Sequence, residues 1–128
     1  MDSNSRRRIY FGRRPLYLVA SSVSLYAQIS EDTFTKQVVD LARWLGWRIM
    51  HQRPARTKGS WRTAIMGHAG FPDIIALRGN RRLMAELKSA KGKATDEQAK
   101  WLQAAREAGF ETFIWRPKDV AEIERILR

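Results

Sequence analysis

The chain has 128 residues, 44% of them hydrophobic, with five tryptophans and no cysteine. This length fits one domain with a buried core, and the hydrophobic content is typical of a folded protein rather than a disordered basic tail. The lack of cysteine excludes a disulfide scaffold, a thiolate zinc site and a cysteine nucleophile, and it is compatible with a reducing, cytoplasmic location. The net charge of +11, from 24 Lys and Arg against 13 Asp and Glu, favours a polyanionic partner such as nucleic acid.

The first 30 residues are predicted to be a basic extension, followed by a single domain over residues 31–128. Five arginines precede a mainly apolar stretch from Leu16 to Ile29: Arg6, Arg7, Arg8, Arg13 and Arg14. The pattern is similar to a signal peptide, which leaves export as an alternative. Three serines interrupt the stretch, however, and it is too short and polar to span a membrane. We expect a basic arm and then an extra strand or helix.

The first element predicted within the domain is a helix from Glu31 to Leu45. Its apolar residues recur at helical spacing and form one stripe. Ser30 is placed to cap its start, and Gly46 to end it. A short strand over Trp47–Met50 follows, and residues 52–69 are predicted to be a long loop.

A β-hairpin is predicted next. The strand Pro72–Leu77 is apolar apart from Asp73, which indicates a central position in the sheet. Gly79 and Asn80 form the turn, and Leu83–Lys88 forms the second strand.

The rest of the chain alternates helix and strand. A helix over Thr95–Ala108 begins with the Thr95/Gln98 capping-box spacing, a strand covers Thr112–Trp115, and Asp119 is placed to cap a final helix. The overall order of helix, three strands, helix, strand and helix predicts an α/β domain with a mixed sheet.

Three charged residues are candidates for a catalytic site. Glu86 and Lys88 project from the same face of their strand, and Asp73 begins the preceding strand, so the three converge if the strands are neighbours. Two converging carboxylates suit a hard cation such as Mg²⁺, which activates water for hydrolysis. Lys88 would then either orient that water or stabilise the charge that develops on the phosphate oxygens. The alternative is a solvated Glu86–Lys88 pair, with Asp73 capping a turn.

Taken in order, several short motifs resemble the VRR-Nuc family. They are Gly70-Phe71-Pro72-Asp73, Glu86-Leu87-Lys88, Lys93, Thr95-x-x-Gln98, Trp101-Leu102, Ala108-Gly109 and Trp115-Arg116-Pro117. The likeness covers about residues 31–128 and leaves residues 1–30 unexplained.

The resemblance implies a single restriction-endonuclease-like domain of the PD-(D/E)XK kind, with a central mixed β-sheet flanked by helices. It further implies cleavage of DNA that depends on Mg²⁺ or Mn²⁺. Asp73, Glu86 and the backbone carbonyl of Leu87 would bind the metal, and Lys88 would be catalytic. Stand-alone members of the family are homodimers that act on branched DNA, including Holliday junctions. Members fused to other domains cut flap structures.

Four further residues have two readings each. Glu31 either reaches the metal, as a glutamate of the corresponding helix does in similar nucleases, or simply favours the helix dipole. Gln98 either belongs to the active site or only caps its helix. His51 and His68 are expected to be loop or DNA-contacting residues rather than zinc ligands, because no cysteine or helical H-x-x-x-H spacing accompanies them.

The basic residues of the domain are predicted to contact DNA phosphates, so that recognition relies on shape and backbone. The long loop carries four of them around Trp61, a candidate stacking surface, and two more follow Lys88; the six are Arg53, Arg56, Lys58, Arg62, Lys91 and Lys93.

The sequence therefore predicts a metal-dependent DNA endonuclease acting on branched DNA as a homodimer, with the stretch from Leu16 to Ile29 contributing to the dimer contact. We expect a cytoplasmic location in a bacterial cell, for a protein encoded by the bacterium or by a phage. One alternative is a non-catalytic basic protein that binds nucleic acid in replication or recombination. A sequence-specific endonuclease is another, although the short chain leaves little room for recognition elements.

Overall fold

The computed structural model describes residues 29–52, 55–57, 60–62 and 65–128, and it describes the two three-residue pieces by their backbone alone. The predicted basic arm and the apolar stretch after it lie almost wholly outside the described residues. Arg53 and Lys58 lie outside them too.

The described elements follow one another in the order that the sequence predicts, apart from a short 3₁₀ turn and one added pair of strands. They are α1 (Glu31–Trp44), β1 (Arg48–His51), β2 (Ala55–Thr57), β3 (Ser60–Arg62), β4 (Ile74–Arg78), β5 (Arg81–Leu87), α2 (Asp96–Glu107), β6 (Glu111–Trp115), a 3₁₀ turn (Pro117–Asp119) and α3 (Val120–Leu127). The addition is the pair β2 and β3, which are antiparallel partners within the predicted long loop. Residues 52–69 are therefore not a structureless loop.

Four strands form one sheet in the order β1-β4-β5-β6. The β1–β4 and β4–β5 pairs are antiparallel, whereas β5 and β6 are parallel. The α/β class and the mixed sheet are thus confirmed, and β4 occupies the predicted central position. The parallel pair requires a crossover, which α2 provides between β5 and β6.

Helices cover both faces of the sheet. On one face, α1 and α3 bury residues such as Phe34, Leu41 and Ile123 against alternate residues of β5, including Ala85 and Leu87. On the other face, α2 packs through a smaller cluster of buried residues, namely Met84, Leu102 and Ala105. Because side chains alternate along β5, Glu86 and Lys88 lie on the α2 face with Met84.

The predicted helix boundaries agree with the local hydrogen bonds. The Ser30 hydroxyl accepts from the Thr33 amide at 3.2 Å, and α1 ends just before Gly46, whose φ is 91°. A positive φ of this kind favours glycine at the end of a helix.

The starts of β4 and β5 and the cap of α3 differ from the prediction. β4 begins at Ile74 rather than Pro72, since proline has no N–H to donate to a neighbouring strand, and β5 extends back to Arg81. Asp119 makes no side-chain cap to α3; instead its carboxylate accepts from the Arg116 amide at 2.8 Å and closes the 3₁₀ turn.

Within the part of the chain that the structure describes, no helix has the length and apolar character needed to cross a membrane.

Candidate active site

Asp73 lies at the entrance to β4, where its side chain ties the two strands of the hairpin together. Its Oδ2 accepts a hydrogen bond of 2.8 Å from the backbone N–H of Leu87, the last residue of β5. Its backbone carbonyl accepts from the Gln52 amide at 3.0 Å and lies 3.0 Å from Nδ1 of His51. Contacts with three different residues therefore fix the position of Asp73.

Glu86 is the charged residue most deeply buried in the described core, with 2% of its surface exposed. One of its oxygens, Oε1, accepts a 2.7 Å hydrogen bond from Nε2 of Gln98 and lies 3.4 Å from Nζ of Lys88. The other oxygen, Oε2, is buried and has no hydrogen-bond partner. Burying a carboxylate oxygen without a hydrogen-bond partner costs folding free energy. Such a group therefore needs an explanation, and a functional role is one.

The pKa of Glu86 is raised from 4.5 to about 8. Burial is the main cause, because it disfavours the charged carboxylate, and the adjacent carboxyl of Asp73 raises the pKa as well. Lys88 acts in the opposite direction but does not outweigh them. Two carboxylates cannot hydrogen-bond to each other without a proton, so a proton or a cation must lie between them for the pair to be stable.

The surroundings of the pair fit a divalent cation. Asp73 and Glu86 offer carboxylate oxygens, and one of these, Oε2, has no other partner. In a β-strand, the N–H and C=O of one residue point to the same side of the strand. The Leu87 N–H points to β4, where it donates to Asp73, so the Leu87 carbonyl points to β4 as well. Oxygen ligands of this number and type suit Mg²⁺, which keeps several waters in its shell.

Gln98 both caps its helix and contacts Glu86. Its Oε1 accepts from the Thr95 amide at 2.9 Å, completing the capping box at the start of α2. Its Nε2 donates to Glu86. One amide group thus fixes the end of α2 and orients the buried carboxylate.

Gly70 allows α2 to approach this edge of the sheet. Its φ is 90°, and a Cβ at this position would lie 2.6 Å from the backbone carbon of Glu97 and 2.8 Å from the Gln98 amide nitrogen. Any other residue here would displace the first turn of α2 and Gln98 with it.

Glu31 does not join the pair. It is exposed at the start of α1, and the described residues include no group of three or more His, Asp or Glu side chains that could hold a metal ion. The position of Glu31 in the first turn of α1 fits the helix-dipole alternative, and its contact with a metal stays a prediction.

Lys91 and Lys93 are exposed on the loop that leaves the site. Arg116 holds this loop by two hydrogen bonds: its Nη1 donates to the Ser89 carbonyl at 2.7 Å and to the Gly92 carbonyl. Neither this role of Arg116 nor the contact of His51 with Asp73 was predicted, because both join residues that are more than 20 positions apart. Of the predicted basic loop residues, Arg56 and Arg62 are described by their backbone in β2 and β3.

The chain matches no protein-family model, and comparisons with curated proteins and with solved structures give no match either. The functional assignment has to be made from the residues and their geometry.

Proposed function

We propose that this chain is a metal-dependent nuclease that hydrolyses phosphodiester bonds in DNA, of the kind that the motif resemblance to the VRR-Nuc family implies. The observation that carries the proposal is the buried carboxylate of Glu86, which has one oxygen unpartnered and Asp73 beside it. A protein that needed only a stable fold would gain from an apolar residue or an amide at this position.

Asp73, Glu86 and the carbonyl of Leu87 are the groups that would hold Mg²⁺ or Mn²⁺. When bound, the cation supplies charge neutralisation at the scissile phosphate and activation of a water molecule for attack. Gln98 keeps the Glu86 carboxylate oriented towards Asp73 by holding its Oε1.

Lys88 is the cationic residue of the site. Its side chain is 15% exposed and its ammonium group lies 3.4 Å from Glu86, so it is directed into the site rather than into solvent. A fixed ammonium in a poorly hydrated site can stabilise the negative charge that develops on phosphate oxygens during hydrolysis.

DNA is the substrate class that the charge of the chain favours. The net charge of +11 promotes binding to a phosphate backbone. Lys91 and Lys93 are exposed on the loop that follows Lys88 and would hold the strand that is cut. The family resemblance adds two points to this proposal: the substrate would be branched DNA, and the enzyme would be a homodimer.

Incubation with end-labelled linear, flap and four-way-junction DNA, in Mg²⁺, in Mn²⁺ and in EDTA, tests the proposal. The wild-type protein should cut at least one substrate with either cation and none in EDTA. Glu86→Gln should reduce the rate on the order of 100-fold or more, because it removes the charge while keeping the shape. Glu107→Gln, an exposed site at the end of α2, is the matched control and should cut at the wild-type rate.

Binding of all three DNAs without cleavage in either cation would instead favour the non-catalytic nucleic-acid-binding protein. Undiminished cleavage by Glu86→Gln would remove Glu86 from the active site.

A further inference from the structure

A small aromatic cleft lies next to the candidate active site on α2. It has a volume of about 260 Å³ and is lined by His68, Glu97, Lys100, Trp101 and Ala104. This is close to the lower end of the range of roughly 300–1,000 Å³ for small-ligand sites, so a single planar group fits it better than a larger ligand.

The indole of Trp101 is held in a fixed orientation within the cleft. Its Nε1 donates to the His68 carbonyl at 3.3 Å, and its ring meets Phe71 edge to face, with ring centroids 5.0 Å apart and an interplanar angle of 76°. Trp101 also remains partly exposed and lines the cleft. A preoriented indole of this kind is a ready surface for stacking a nucleobase.

The charges in the cleft favour a base over a phosphate. Lys100 is paired with Glu97 at 2.9 Å, so the two charges largely cancel and leave no net positive charge in the cleft to hold a phosphate. An uncharged base needs no such charge, and the phosphates of its strand would lie outside the cleft.

The cleft is also adjacent to the groups proposed to cut DNA. Trp101 follows Gln98 by three residues, a rise of roughly 4.5 Å along α2, and the two lie on one side of the helix. Phe71, which contacts Trp101, precedes Asp73 by two residues. A base in the cleft would therefore belong to a nucleotide close to the phosphate at Asp73 and Glu86.

We infer that this cleft binds one unpaired nucleobase next to the scissile phosphate by stacking it on Trp101. The inference rests on the proposed nuclease function and narrows its substrate to DNA with unpaired nucleotides near the cut, because a base inside a duplex is not free to enter the cleft. The stacking site is distinct from the residues that hold the cation.

Binding measured in EDTA tests the inference without requiring cleavage. Fluorescently labelled oligothymidine, alone and annealed to its complement, is titrated at one salt concentration with the wild-type protein and its variants. Trp101→Ala should weaken binding of the single strand about 5- to 150-fold, the range expected for loss of one stacked base, and leave duplex binding within about twofold. Trp101→Phe should retain most of the single-strand affinity.

Ala104→Leu provides a second variant that removes no packing contact. Leucine at this exposed position on the wall of the cleft should fill it and cause the same selective loss. Gln103→Ala, on the same helix but outside the cleft, is the control and should bind both DNAs as the wild type does.

Unchanged single-strand affinity in both Trp101→Ala and Ala104→Leu, or equal losses on single strand and duplex, would overturn the inference. The outcome is separate from that of the proposed function. If the variants show the selective loss but the protein never cuts DNA, the nuclease proposal is wrong and the stacking site stands. If the protein cuts DNA but the variants show no selective loss, the nuclease proposal stands and the stacking site is wrong.

Discussion

Replacing Glu86 with glutamine should make the metal-free protein more stable at neutral and alkaline pH while it abolishes the proposed activity. Glutamine has the same shape, and its carbonyl oxygen can still accept the hydrogen bond from Gln98. Its amide nitrogen takes the position of the unpartnered Oε2, from which it can donate to Asp73. The loss of the contact with Lys88 is the one feature that opposes the gain.

The size of the effect follows from the pKa of Glu86, which is about 8 in the folded protein against 4.5 ordinarily. Because the folded-state pKa is the higher one, the stabilisation from the bound proton is complete below about pH 4.5 and is lost as pH rises through 8. Each pH unit in this window costs about 1.4 kcal/mol, which gives on the order of 5 kcal/mol in total. Domains of this size have a free energy of unfolding of roughly 5–15 kcal/mol, so the loss is large.

Urea denaturation in EDTA, at pH values from about 5 to 9, measures this difference. The wild-type and Glu86→Gln proteins should have similar free energies of unfolding at about pH 5, and the variant should become increasingly more stable as the pH rises. Glu107→Gln, which changes an exposed carboxylate, should follow the wild-type curve. If the curves of the wild type and Glu86→Gln are parallel over the whole range, then Glu86 is not protonated by burial and the reasoning fails.

Three further perturbations test other parts of the structure. Gly70→Ala should lower the free energy of unfolding by about 2 kcal/mol or more and reduce cleavage with it, because the new Cβ would lie 2.6 Å from the Glu97 backbone at a φ of 90°; an unchanged thermal midpoint would contradict the close approach. Neutralising Arg53, Arg56 and Lys58 together should reduce the slope of log K against log salt for DNA binding by up to about 3, and an unchanged slope would assign the phosphate contacts to another surface, such as the predicted basic arm. Light scattering at micromolar concentration, with and without junction DNA, should give the mass of a dimer, and a monomer that still resolves junctions would rule out the homodimer.

The helices and the central hairpin could be predicted from the sequence because short-range signals define them. Ser30 and Gly46 mark the two ends of α1, and the Thr95/Gln98 spacing marks the start of α2, each through contacts within a few residues. Gly79, with a φ of 59°, permits the tight turn between β4 and β5. Alternation of side chains then places Glu86 and Lys88 on one face of β5.

Features that depend on distant contacts could not be predicted in this way. β2 and β3 have three residues each and no alternating apolar pattern, so nothing in their sequence distinguishes them from a loop. Arg116 reaches Ser89 and Gly92 only because β5 and β6 are parallel neighbours. Asp119 has the residue type of a helix cap, but the nearer Arg116 amide takes its carboxylate. The spacing of Glu31 does not tell which edge of the sheet α1 approaches.

The hydrogen bonds that link the hairpin and α2 within the candidate site join residues closer along the chain than the contact of Asp73 with His51. Asp73 and Leu87 are 14 positions apart, and Glu86 and Gln98 are 12 apart. Closing loops of this length costs little conformational entropy, and contacts of low sequence separation form early in folding. The hairpin and the first turn of α2 can therefore bring the candidate catalytic groups together before α1 docks on the opposite face. Destabilising substitutions in α1 should consequently increase the unfolding rate without altering the geometry in which the carboxylates meet.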